Sequence, residues 1–188
     1  MPMSGADIML DILVCALGWG IVVLHTWALR AHFDMPVMPN GVKVISASVI
    51  SSAVLLTFLC LKFNQPAFAQ WIGLFCLIFS AYLCWLTLRE SRNAKLLAAF
   101  DEKLPHGLLK TGPYSMVRHP FYTSYLIQWI GWAIAGWSLW GIVPVLLMTT
   151  IYVIAARDEE AKFSRTDMAE EYATYSRKTG RFFPRIFG

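Results

Sequence analysis

An all-α bundle embedded in a lipid bilayer is the fold class this sequence predicts, and three observations carry the prediction. Of its 188 residues, 57% are hydrophobic and only 15% charged, with a mean hydropathy of +0.52; soluble domains carry about 25% charged residues. The apolar residues are gathered into stretches of the roughly 20 residues needed to cross about 30 Å of hydrocarbon. The sixteen Lys and Arg side chains fall almost entirely on alternate connections between those stretches. Residues 1–188 therefore read as one membrane domain, with no internal repeat and no low-complexity segment.

The apolar stretches are residues 8–29, 42–61, 67–88 and 121–156. The last is too long for one crossing and just long enough for two. Gly136, Trp137, Trp140 and Gly141, with Pro144 just beyond, supply the breakers and interfacial aromatics of a tight turn inside it. About five transmembrane helices are expected, which puts the termini on opposite sides. On that layout Lys62 stands alone on one side and the other fifteen basic residues share the opposite one. Positive residues favour the cytoplasm, so the N-terminus is expected outside and the C-terminus inside. The net charge of +4 is then a topology signal and an attraction to anionic headgroups, with no ground for invoking nucleic acid. No separate signal peptide is expected, because residues 1–11 lack a basic region and no small-residue cleavage site follows the first apolar stretch.

Within the spans little points to chemistry. Cys15, Cys60, Cys76 and Cys84 form no CxxC pair and read as small packing residues rather than metal ligands. His25, near the end of the first span, is either a polar groove residue or a packing histidine, the latter the commoner case. Ser46, Ser48, Ser51 and Ser52, and Gly131 with Ala135, offer close helix contacts, and one of these faces could serve a dimer.

Two polar segments hold most of the charge. The first, residues 89–117, is expected to continue the third span as a helix through Leu97 and then to turn at Leu104-Pro105-His106-Gly107 and Thr111-Gly112-Pro113. It ends in Arg118-His119-Pro120 at the start of the fourth span, where a proline suits the first helical turn and leaves Arg118 and His119 at the mouth. The second opens with Arg157-Asp158-Glu159-Glu160, continues through Tyr172 and Tyr175, three apart and so on one helical face, and ends Arg181-Phe182-Phe183-Pro184. Because the fourth and fifth spans form a hairpin, His119 and Tyr122 are expected close to the glutamate pair. Adjacent glutamates point about 100° apart, so only one is expected to face a given pocket.

The order His106-x-Leu108-x-x-x-Gly112-x-Tyr114-x-x-x-Arg118-His119-Pro120-x-Tyr122, a helical hairpin, Glu159-Glu160, Tyr172-x-x-Tyr175 and an aromatic-Pro ending resembles the isoprenylcysteine carboxyl methyltransferase and phospholipid methyltransferase family of integral membrane enzymes. The resemblance covers residues 104–186. It implies S-adenosylmethionine as methyl donor, a cytoplasmic cofactor pocket and a lipophilic or small acceptor. Carried over by position, His106, Leu108, Leu109, Tyr114, His119, Pro120, Tyr122 and Glu159 would contact the cofactor. Arg118 and Glu160 belong to the same motifs and are assigned to catalysis, together with Arg157.

These residue types suit that cofactor. Tyr114 and Tyr122 can offer π-faces to a sulfonium, Arg118 or His119 can grip a carboxylate, and a glutamate can take an ammonium or ribose hydroxyls. Departures from the family pattern bear on the acceptor. Ser124 and Ala169 replace small glycines, and Ala155 stands where enzymes of prenylcysteine carry an arginine; Arg157 is close by on another face. A prenylcysteine-like carboxylate is the favoured acceptor, beside an amine headgroup or a small thiol. Two other classes are weighed: an NADPH-dependent sterol reductase, which shares a similar C-terminal region but is normally longer, and a non-catalytic membrane scaffold. Taken alone, Arg118-His119 reads first as an interfacial snorkelling pair, and Glu159-Glu160 by default as a solvated helix end; it is the whole constellation in register that favours a site.

Overall fold

The computed structural model describes residues 5–34, 40–91, 96–97 and 107–185. Its elements are α1 (Gly5–His32), β1 (Phe33–Asp34), α2 (Asn40–Lys62), α3 (Ala67–Ser91), β2 (Leu96–Leu97), α4 (Pro120–Ala135), α5 (Ile142–Phe163) and α6 (Ala169–Lys178). Helices dominate; β1 and β2 make a two-residue parallel pair, and an isolated parallel bridge joins Val117 to Gly180.

Among the described residues, four helices are long and apolar enough to cross a membrane: Ile8–Ala28, Gly41–Lys62, Ala67–Ser91 and Leu139–Phe163. The expected fourth crossing is α4, and its 16 residues at about 1.5 Å each give roughly 24 Å, short of a full hydrocarbon thickness. Both ends of α4 are set by local chemistry. Pro120 occupies its first turn, and Trp137 adopts a left-handed φ of 42° just past its end. A short 3-10 turn, Leu139–Gly141, then starts α5, so the hairpin turn falls within residues 136–141 as expected.

The side-chain distribution is that of a lipid-facing bundle. Along α3, Trp71, Phe75, Ile78 and Phe79 face outward while Gln70, Ser80 and Thr87 are buried. With hydrocarbon outside there is no gain in hiding apolar surface, so polar and small residues collect where helices touch. Gln70 donates to buried Asp11 of α1 at 2.5 Å, and Ser80 donates to the Ser124 carbonyl of α4 at 2.7 Å. α3 and α4 approach each other closely through small residues. A Cβ added at Gly73 would lie 2.5 Å from the Gly131 carbonyl, and one at Gly131 would overlap Cys76. The Gly131 and Ala135 face is thus consumed inside the chain by α3 and is no dimer surface. Behind it, Trp129, Trp132, Leu126, Leu77, Leu56 and Met148 fill the core.

One helix boundary differs from expectation. α3 ends at Ser91, and Leu96-Leu97 are extended beside Phe33-Asp34 instead of continuing the helix. The helical pattern of residues 89–97 came from good helix formers, and backbone pairing with another segment overrides such propensity.

Candidate active site

The polar end of the α4–α5 hairpin is held together by backbone pairing between two distant segments. Arg118 N–H donates to the Gly180 carbonyl at 2.8 Å and His119 N–H to the Arg181 carbonyl at 3.1 Å, while Gly180 N–H donates to Met116 at 3.3 Å. The Thr123 hydroxyl adds a bond to the Phe182 carbonyl at 2.8 Å. Gly180 is required there, since any Cβ would collide with the Phe183 carbonyl. The segment after α6 is thereby strapped across the entrance to α4.

Five ionisable side chains meet under this strap. Arg118 donates through Nε to Glu160 Oε1 at 2.9 Å, and through Nη1 to the Ser176 and Thr179 carbonyls at 3.0 and 2.5 Å. Arg181 closes on Glu160 from the other side, Nε to Oε1 at 3.1 Å and Nη2 to Oε2 at 2.6 Å. His119 lies between the two acids, with Nε2 3.1 Å from Glu160 Oε1 and Nδ1 3.3 Å from Glu159 Oε2. A carboxylate on each side of the ring favours a hydrogen on both nitrogens, that is, the imidazolium form. Burial opposes that charge, yet the bonds and charges of Glu159 and Glu160 outweigh it and hold the His119 pKa above its ordinary value. Glu159 also accepts the Tyr122 hydroxyl.

The two acids differ in availability. Glu160, with Arg118, His119 and Arg181 all bonded to it, is 14% exposed, whereas the Glu159 side chain is 26% exposed and bonds only Tyr122 and His119. Both face the same cluster, contrary to the expectation that only one would. His119 makes this possible because its two nitrogens reach in opposite directions, one to each acid.

An aromatic floor underlies the charges. Tyr122 stacks on His119 (centroids 5.6 Å) and on Tyr152 (5.3 Å), with Phe182 edge-on at 6.3 Å and Tyr125 at 6.1 Å. Tyr114 is buried at the loop before α4, and its carbonyl accepts the Tyr175 hydroxyl at 2.6 Å. Burial lifts both phenols above the usual tyrosine range, that of Tyr175 to about 12. Tyr172 lies flat on Phe163, centroids 4.4 Å apart, with its hydroxyl buried beside Arg118.

The structure therefore brings Arg118, His119, Tyr122, Glu159 and Glu160 together, with Pro120 buried as the first residue of α4. Leu108 and Leu109 are half-buried on the loop leading in. That loop is pinned to α6 by Lys110 and Glu171 at 2.5 Å and to α3 by the Thr111 hydroxyl on Glu90. His106 lies outside the described residues. Arg157 is exposed and takes no part in the network, because it projects from another face of α5. Sequence reasoning passed over Arg181, Gly180, Thr123 and Tyr152. The spacing of Tyr152 seven residues before Glu159, two helical turns on one face, is a signal that could have found it. Nothing local marks Arg181, whose role comes from the strap. Among the described residues, no group of three or more His, Cys, Asp or Glu could hold a metal ion.

Comparison with known families completes the description. The family model for phospholipid methyltransferases matches residues 68–173, more than half of the chain. The chain belongs to the phospholipid methyltransferase family. The match begins in α3, one helix before the motifs that suggested it, and includes the α3–α4 contact and both acids; Arg181 lies beyond it. The chain is also similar to two curated proteins. It is 34% identical over 80 residues to the nickel-cobalt-cadmium resistance protein NccN of Alcaligenes xylosoxydans xylosoxydans, covering 42% of this chain and 37% of that protein. It is 33% identical over 79 residues to the cobalt-zinc-cadmium resistance protein CzcN of Cupriavidus metallidurans, covering 42% and 36%. The matched segment thus spans little more than a third of either relative.

Proposed function

We propose that this protein transfers a methyl group from S-adenosylmethionine to a lipophilic acceptor drawn from the bilayer, with the donor held at the polar end of the α4–α5 hairpin. The observation that carries the reading is the position of Glu159: a partly exposed carboxylate bonded to Tyr122 and His119, above a stack of aromatic rings. The donor is a sulfonium cation with an amino-acid tail and a ribose diol, and when bound it supplies an activated methyl group. Glu159 is suited to its ammonium or hydroxyls, the cationic His119 to its carboxylate, and the faces of Tyr122 and Tyr152 to the sulfonium. The chain's remaining contribution is alignment and exclusion of water, which a strapped site beside lipid favours.

Arg118 and Glu160 serve this site by positioning. The guanidinium ties the end of α6 to α5, and the acid is the shared hydrogen-bond acceptor of Arg118, His119 and Arg181. The prenylcysteine-like carboxylate favoured from sequence gains little support, because Arg118 and Arg181 are already paired with Glu160. It would have to rely on Arg157, outside the cluster. A lipid with an amine or hydroxyl head agrees better with the family match.

Equilibrium binding to detergent-purified protein tests the donor. S-adenosylhomocysteine and S-adenosylmethionine should bind saturably while NADPH does not. Binding of NADPH alone would replace the proposal with a reductase, and binding of neither would leave a scaffold.

A further inference from the structure

Beneath the charge cluster, toward the interior of the bundle, one ionisable side chain has no role in anything described so far. His25 stands on α1, outside the segment that matches the family, and packs its ring against Tyr125 of α4 at 4.2 Å between centroids. The ring is half-buried, yet its Nε2 is fully buried and has no hydrogen-bond partner. Gln128 of α4 is the polar side chain that bonds the His25 ring, and it gives its own N–H to the Gly18 carbonyl at 3.2 Å, so that Nε2 alone is left without a geometric partner. A buried imidazole nitrogen without a partner is costly in an apolar medium, and an ionisable side chain retained within a membrane span is a candidate functional group.

Its location says which ligand. Tyr125 is the next ring after Tyr122, 6.1 Å away, and Tyr122 carries the hydroxyl bonded to Glu159. His25 therefore lies two ring contacts from the cluster assigned to the methyl donor, on the bilayer side of it. We propose that His25 forms the acceptor subsite, its Nε2 hydrogen-bonding the amine or hydroxyl head of the lipophilic acceptor and presenting it beside Tyr122. This rests on the methyltransferase reading for the word acceptor, while the predicted contact of His25 with a polar-headed amphiphile can be measured without the donor.

The full-length protein, labelled with carbon-13 and nitrogen-15 histidine in lipid nanodiscs, provides the test. Of its four histidines, the His25 signals are assigned by their loss in His25→Gln. Dodecylamine, dodecanol and dodecane are then titrated, each with and without S-adenosylhomocysteine. The His25 imidazole should shift saturably with the amine or the alcohol and not with dodecane. His25→Phe should weaken that amphiphile about tenfold, the worth of one hydrogen bond, and leave S-adenosylhomocysteine affinity unchanged. His25→Gln, which keeps a hydrogen-bonding group, should recover part of the loss. No shift with any of the three, or an equal shift with dodecane, would overturn the subsite and leave His25 a packing residue. Failure of S-adenosylhomocysteine to bind the wild type would overturn the donor assignment instead, with the histidine shifts still readable in its absence.

Discussion

Glu159 and Glu160 are neighbours with the same chemistry, and their surroundings give them different consequences when changed. Glu160 is the shared counter-charge of Arg118, His119 and Arg181, so Glu160→Gln strands buried cations and should cost on the order of 3–5 kcal/mol of stability. Glu159→Gln leaves the strap intact and should instead weaken S-adenosylhomocysteine roughly ten- to a hundredfold, the worth of a charge-assisted bond. Thermal melts and calorimetry on the two variants separate these outcomes; equal loss of stability in both would contradict the division of roles. His119 adds a pH dependence whose sign follows from its raised pKa. The folded state favours the protonated ring, so its contribution is fully present below the ordinary value of 6.5 and is lost as pH rises through the raised one. Melting temperature of the wild type relative to His119→Gln should therefore decline upward from pH 6.5, and a difference independent of pH would mean that the ring is neutral. At this scale the motif residues were legible in the sequence because Arg118, His119, Pro120 and Tyr122 are contiguous with a helix start. Arg181 was not, because its partner lies 21 residues back on another helix and only the strap brings them together.

The helix pair α3 and α4 is built on absent side chains. A methyl at Gly131 would overlap Cys76, so Gly131→Ala should cost about 1–3 kcal/mol through forced separation of the helices. Gly20 of α1 has open space around its Cβ position, and Gly20→Ala should be neutral or stabilising by up to about 1 kcal/mol through helix propensity alone. Denaturation of both variants in the same detergent makes the comparison, and equal effects would contradict the packing. The small residues were readable in sequence, but their partner was not: Gly131 and Ala135 specify a close approach without saying to what. The end of α3 was misread for a similar reason, since Leu96 and Leu97 favour a helix until Phe33 and Asp34 offer backbone pairing.

Across the whole molecule, hydrophobic stretches and turn residues foretold the bundle and its hairpin, because a bilayer leaves the backbone few alternatives. The fourth crossing is shorter than the apolar stretch suggested, because α4 has only 16 residues. Orientation rests on the charge bias, and labelling of single cysteines should place position 4 outside and position 176 inside; finding both on one side would mean that α4 does not complete a crossing. The central claim is that two distant segments, the entrance of α4 and the end of α5, grip one ligand through His119 and Glu159. Calorimetric titration of S-adenosylhomocysteine into wild type, His119→Ala, Glu159→Gln and the double variant tests it most directly. The account predicts that each single variant weakens binding and that the two couple by about 0.5–3 kcal/mol, as residues sharing a ligand do. Single variants that bind like wild type, or losses that simply add, would contradict it.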